Sequence, residues 1–170
     1  MYTLLIGGAR SGKTATAERL ARASGAPVVY LATGEPGDEE MADRIARHRS
    51  DRPGGWITAE EPRDLIGAIG QLPDDVFVVV DCLTLWLANR LEASDDALLG
   101  EAVAVAGALA DRPGDGAVVS NEVGSGIVPV DAATRRYRDL LGRVNGVFRA
   151  DAAEAYLCVA GGVVPIGEPL

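Results

Sequence analysis

Lysine is nearly absent from this chain: there is one, Lys13, against fifteen arginines, and histidine also occurs once, at His48. Cysteine occurs twice, aromatic residues make up 5%, and no apolar run exceeds the length of a strand. Each scarcity excludes something. Cys82 and Cys158 lie in apolar strand-like stretches with no secretion signal ahead of them, so they read as reduced core residues rather than a disulfide or a metal pair. Runs this short leave no transmembrane helix, which needs about 20 apolar residues. The N-terminus enters a strand directly, without a basic stretch and apolar leader, so no signal peptide is expected and the expected location is cytoplasmic. The net charge of −9 argues against general nucleic-acid binding. A local cluster such as Arg135, Arg136 and Arg138 is open to two readings, an anion site or a solvated helix face.

What is present is ordinary for a globular α/β protein: 48% hydrophobic and 24% charged residues over 170 positions,. That length suits one domain spanning 1–170 and is enough to bury about two-thirds of the unfolded surface. Continuous apolar runs at Thr3–Ile6, Val28–Ala32, Val76–Cys82, Ala117–Ser120 and Ala155–Val159 read as strands. They alternate with helical patterns at Lys13–Ala23, Glu39–Arg49, Arg63–Gln71, Leu85–Glu92, Ala97–Ala110 and Asp131–Ala150,. Such alternation predicts a mostly parallel central sheet with helices on both faces. The tail Gly161–Ile166 adds one short edge strand to that expectation.

The lone lysine sits inside Gly7-Gly8-Ala9-Arg10-Ser11-Gly12-Lys13-Thr14, which fits the phosphate-loop pattern G-x-x-x-x-G-K-[ST] at every fixed position. The expectation is therefore an α/β P-loop NTPase that binds a nucleoside triphosphate. Loop amides curl around the phosphates, Lys13 places a compact charge on the β and γ oxygens, and the Thr14 hydroxyl can ligate Mg²⁺. The context agrees, since a short buried strand precedes the loop and a helix N-terminus follows it. In Val78-Val79-Val80-Asp81 a buried strand ends on a carboxylate, the natural partner for the metal opposite Thr14. Asp81 is also placed to cap the following helix, and the two roles are compatible. A regulatory GTPase is disfavoured: no lysine remains for an N-K-x-D segment, and Asp81-Cys82-Leu83-Thr84 is not D-x-x-G.

His48 closes a helical stretch that also carries Arg44, Arg47 and Arg49. Nearby cations disfavour protonation, so a neutral nucleophilic imidazole is one reading and a solvated surface residue is the other. Asn121, Glu122, Gly124 and Gly126 lie past the fourth strand, where open α/β sheets bind ligands, and are open to a substrate-contacting loop or a structural turn. Trp56 and Trp86 read as packing residues before base-stacking platforms.

Taken together, the phosphate loop, Tyr30-Leu31-Ala32-Thr33, the Asp38–His48 segment, Arg52-Pro53 with Trp56 and Glu60, and Asp81-Cys82-Leu83-Thr84 form a recognisable pattern. It continues through Asn121-Glu122-Val123-Gly124-Ser125-Gly126-Ile127-Val128-Pro129 and Gly142-Arg143-Val144-Asn145. The chain resembles, over essentially its whole length, the bifunctional adenosylcobinamide kinase / adenosylcobinamide-phosphate guanylyltransferases of cobalamin biosynthesis. That resemblance implies a two-step enzyme with ATP and GTP as co-substrates. The terminal phosphate of ATP or GTP goes to the aminopropanol hydroxyl of adenosylcobinamide; GMP then passes from GTP through a covalent histidine adduct, on His48, to adenosylcobinamide phosphate. It also implies nucleotide contacts at Gly7 to Thr14, at Ala32, Thr33 and Gly34, at Arg49, Ser50, Asp51 and Arg52, and at Glu60 and Asp81, and a homotrimer. A single-activity P-loop kinase would need Lys13 and Asp81 but not His48. A regulatory ATPase would need no corrinoid acceptor.

Overall fold

The computed structural model describes residues 1–37 and 54–167, together with Glu39, Ala42, Asp43, Ala46 and Arg49. Those five isolated positions are helical, as the expected Glu39–Arg49 helix requires. The remaining elements are β1 (Tyr2–Gly7), α1 (Lys13–Ser24), β2 (Val28–Ala32), β3 (Ile57–Glu60), α2 (Leu65–Gly70) and β4 (Phe77–Asp81). They continue with α3 (Leu83–Ala88), α4 (Asp95–Asp111), β5 (Gly116–Asn121), α5 (Ala132–Asp151), β6 (Glu154–Val159) and β7 (Gly162–Pro165).

The strands form one sheet in the order β3-β2-β4-β5-β1-β6-β7, parallel throughout except for the antiparallel β6–β7 edge. Successive side chains on a strand point to opposite faces, and the apolar runs split accordingly. Leu4, Val29, Leu31, Val78, Val80 and Val118 belong to one buried cluster with Leu and Val residues of α2 to α5. Leu5, Tyr30, Phe77, Val79, Ala117 and Val119 belong to the other, covered by Ala17 and Ala21 of α1. Burial on both faces is why the runs in β2 and β4 are continuous rather than alternating. Trp86 is fully buried in the larger cluster, and its indole N–H donates to the Arg63 carbonyl at 3.0 Å, so it is a packing residue.

The helix ends follow from capping. Ser94 accepts from the Ala97 amide at the start of α4, with Asp95 and Asp96 in its first turn. Asp131 accepts from Thr134 at the start of α5, so the last expected helix begins one residue later than its pattern suggested,. The strand β3 was not visible in the sequence. It is a four-residue edge strand after Gly54-Gly55, with Ile57 64% exposed, and pairing with β2 rather than any apolar run creates it. Helix α3 begins at Leu83, two residues earlier than expected. Among the described residues no helix is long and apolar enough to cross a membrane.

Candidate active site

The segment between β1 and α1 is shaped by close backbone approaches. Gly7 is paired with both Asn121 and Cys158, and a side chain there would meet the Cys158 carbonyl oxygen at 2.4 Å. Gly12 caps α1 at φ 98° in the left-handed region, a conformation that favours glycine,. The Ser11 carbonyl accepts from the Gly161 amide at 3.0 Å, so the turn between β6 and β7 buttresses the loop. Lys13 is buried, and its ammonium donates to the carbonyls of Gly7 at 2.8 Å and Gly8 at 2.7 Å. These contacts hold the charge directly over the loop.

Opposite the loop, the ends of four adjacent strands align. Glu60 pairs with Ala32, Ala32 with Asp81, and Asp81 with Val119. All four line a pocket of about 420 Å³, together with Ala9 to Thr14 of the loop. Arg49 and Gly34 border the same pocket, and Arg49 Nη1 donates to Glu60 Oε1 at 3.0 Å. The Tyr30 hydroxyl donates to Asp81 Oδ2. Thr33 joins the ends of β2 and β4: its amide donates to the Asp81 carbonyl, and its hydroxyl donates to the Cys82 carbonyl at 2.7 Å and accepts from the Cys82 amide at 2.8 Å. Asn89 donates to the Thr33 carbonyl at 2.8 Å. The pocket thus sits at the carboxyl ends of the parallel strands, beside a helix N-terminus and a glycine loop, which is where such sheets bind nucleotides.

The model of the family "Cobinamide kinase / cobinamide phosphate guanyltransferase" matches residues 3–166. The chain belongs to this family. It is 44% identical, over the full length of both chains, to the bifunctional adenosylcobalamin biosynthesis protein CobP of Pseudomonas aeruginosa. It is 38% identical to the corresponding protein CobU of Salmonella typhimurium, covering 95% of this chain and 97% of that one. Among solved structures it is similar to the RadB recombinase, with a TM-score of 0.51, 18% identity, and 92% of this chain and 73% of that one covered. A protein from Pyrococcus horikoshii OT3 gives a TM-score of 0.59 at 11% identity, covering 98% of this chain and 86% of that one. At such identities these two likenesses speak for the fold alone, and the fold is that of P-loop NTPases.

For the contacts expected of a cobinamide kinase / guanyltransferase, the structure brings Ala9 to Thr14, Ala32, Gly34, Arg49, Glu60, Asp81 and Asn121 to one pocket. Gly7 and Gly8 shape the loop without lining that pocket. Thr33 is fully buried, and its side chain is engaged with Cys82. Glu122 accepts from the Ser125 amide and hydroxyl through Oε1, closing a turn, and Glu122, Gly124 and Gly126 do not border the pocket. His48, Ser50, Asp51 and Arg52 lie outside the described residues. Asp81 makes no cap: the N-cap of α3 is Cys82, without a side-chain capping bond.

Neither reading of the arginine cluster holds for two of its members. Arg135 donates to the carbonyls of Pro129 and Val130, and Arg136 to Asp95 and the carbonyls of Leu91 and Ala93. Both are tied into structural bonds. Cys82 corrects another expectation: both cysteines are free, but Cys82 stands just past β4 on the pocket wall. Burial, with the Asp81 charge second, pushes its thiol up to about 11, so it is a neutral thiol at pH 7 and a poor nucleophile,. Thr84, Leu85 and Val119 also line the pocket and were missed. Thr84 accepts from the Asn121 amide at 3.0 Å and so links β5 to α3. Its one sequence signal was its place three residues after Asp81.

The oxygen donors suit magnesium. Thr14 and Asp81 border the same pocket, and Mg²⁺ takes hard oxygen ligands, using one or two protein groups and filling the rest with water and substrate phosphates.

Proposed function

We propose that this chain, as one catalytic domain over residues 1–170, transfers a phosphoryl group from ATP or GTP to adenosylcobinamide and then GMP from GTP to the resulting phosphate. The convergence of Lys13, Thr14, Glu60 and Asp81 with Arg49, the residue after His48, on one pocket carries the reading.

In the first step Lys13 and the loop amides hold the β and γ phosphates, while Thr14 and Asp81 hold Mg²⁺. Bound there, the metal neutralises charge on the phosphate oxygens. The chain's own task is alignment and charge stabilisation, since phosphoryl transfer needs little covalent help. The acceptor hydroxyl attacks the γ-phosphorus, loses its proton, and a nucleoside diphosphate leaves.

In the second step His48 is the nucleophile. A neutral imidazole nitrogen attacks the α-phosphorus of GTP, pyrophosphate leaves, and an oxygen of adenosylcobinamide phosphate then displaces the histidine to give adenosylcobinamide-GDP. Cys82, a neutral thiol on the pocket wall, does not compete for that role. A homotrimer is part of the same proposal; light scattering that finds only the 17.6 kDa chain mass would overturn it.

GTP labelled at the α-phosphate tests the transfer step. The label is expected to stay on the protein as an acid-labile, alkali-stable phosphoramidate, while γ-label is not retained. His48→Ala is expected to abolish labelling yet keep much of the kinase activity and accumulate adenosylcobinamide phosphate. Lys13→Ala is expected to lose phosphorylation with the fold intact. Normal labelling of His48→Ala refutes the histidine assignment. An unlabelled parent enzyme that phosphorylates adenosylcobinamide leaves a single-activity kinase instead.

A further inference from the structure

We propose that Tyr30 is a positioning residue for the reaction: its buried hydroxyl fixes the Asp81 carboxylate so that it meets metal-bound nucleotide already oriented. The proposal rests on Asp81 as a metal ligand. In the parallel β2–β4 pair, Tyr30 stands opposite Val79 and Ala32 opposite Asp81. Positions 30, 32, 79 and 81 therefore share one face, the face covered by α1, which carries Thr14. Tyr30 and Asp81 are diagonal neighbours on that face, a separation that an aromatic side chain spans. The Tyr30 hydroxyl donates to Asp81 Oδ2 across this diagonal.

The donor itself is immobilised. Tyr30 is 1% exposed and packed in the α1-side cluster, and its ring stacks on Trp56 with centroids 6.4 Å apart and planes at 27°. Asp81 borders the pocket and Tyr30 does not, so the hydroxyl holds the carboxylate from behind. A strand-end aspartate has two side-chain torsions to order before it can ligate. Here the fold orders them in advance, leaving less to lose when nucleotide and metal arrive. Groups that orient a ligand in this way affect metal affinity without touching the ion.

The test is Tyr30→Phe, which keeps the ring and its stack and removes only the hydroxyl. Mn²⁺, detected by its electron paramagnetic resonance signal, is titrated into enzyme saturated with β,γ-imido-GTP. The Mn²⁺ dissociation constant is expected to rise about 10-fold or more, while analogue binding without metal and the far-UV circular dichroism stay at parent values. Asp81→Glu, which displaces the carboxylate by one methylene, is expected to weaken Mn²⁺ as well. Combined with Tyr30→Phe it is expected to cost less than the product of the two separate losses, because both act on one orientation.

If Asp81→Asn weakens Mn²⁺ and Tyr30→Phe matches the parent, the positioning role is refuted. Multiplicative losses in the double variant, or a Tyr30→Phe chain that fails to fold, make the hydroxyl structural and refute it equally. An Asp81→Asn enzyme that binds Mn²⁺ like the parent refutes the ligand reading of Asp81 itself, and the proposal with it.

Discussion

Alanine at position 7 and alanine at position 8 differ by one residue in sequence and by a whole mechanism in structure. A Cβ at position 7 would lie 2.4 Å from the Cys158 carbonyl oxygen and 2.7 Å from Ser11 Oγ. The serine hydroxyl can rotate aside, but the carbonyl cannot, because Gly7 is laddered between Asn121 and Cys158. Relief therefore requires the loop to shift by roughly 1 Å, a misplacement that costs on the order of 100-fold at a reacting site. Overpacking of this kind destabilises by about 1–3 kcal/mol. At about 2–4 °C per kcal/mol for a chain of this size, Tm is expected to fall by about 2–12 °C. A Cβ at position 8 meets no protein atom within 4 Å, so Gly8→Ala is expected to melt with the parent. Calorimetric GTP titration of Gly7→Ala and thermal denaturation of the two variants decide the matter. Equal loss of Tm in both, or a Gly7→Ala enzyme that binds GTP like the parent, would refute the argument that backbone contact with β6 sets the loop's shape.

Arg136→Ala removes bonds to Asp95 at 2.7 Å and to the carbonyls of Leu91 and Ala93 at 2.8 and 2.7 Å, so urea unfolding is expected to show a loss of about 1–3 kcal/mol. GTP affinity should stay unchanged, and a fall of 10-fold or more would return this residue to an anion site. Alkaline pH is expected to destabilise the fold, since burial raises Cys82 from an ordinary 9.0 to about 11 and Tyr137 from 10.0 to about 12. Both groups are raised in the folded state, so their contribution is whole below about pH 9 and is lost as pH climbs toward 12. A urea midpoint that holds constant between pH 9 and pH 11 would contradict this.

Much of the site was legible because its residues are local. A phosphate loop needs its glycines, lysine and threonine at fixed spacing, and a buried strand ending in aspartate announces itself by four successive apolar or acidic letters. The helices from Lys13 to Ser24 and from Ala132 to Asp151 were equally plain to within one residue at their ends, since amphipathic spacing is local,. Family membership followed from segments scattered over the whole chain, each a short motif.

What the sequence by itself determined was therefore chemistry carried by neighbours in the chain: the phosphate loop, the strand-end carboxylate, and a parallel sheet buried on both faces. Only the tertiary structure decided relations between strands. Register alone puts Glu60, Ala32, Asp81 and Val119 in one row across four strands and brings Tyr30 diagonally to Asp81. It made a strand of Ile57–Glu60, whose own pattern is too short and too exposed to specify one. It also turned Arg136 from free charge into a tie to the distant carbonyls of Leu91 and Ala93, whereas Arg135 ties back to Pro129 and Val130 just ahead of its own helix. The reason is physical: hydrogen bonds across a sheet and the desolvation of a pocket depend on separations in space, which a one-dimensional pattern does not contain.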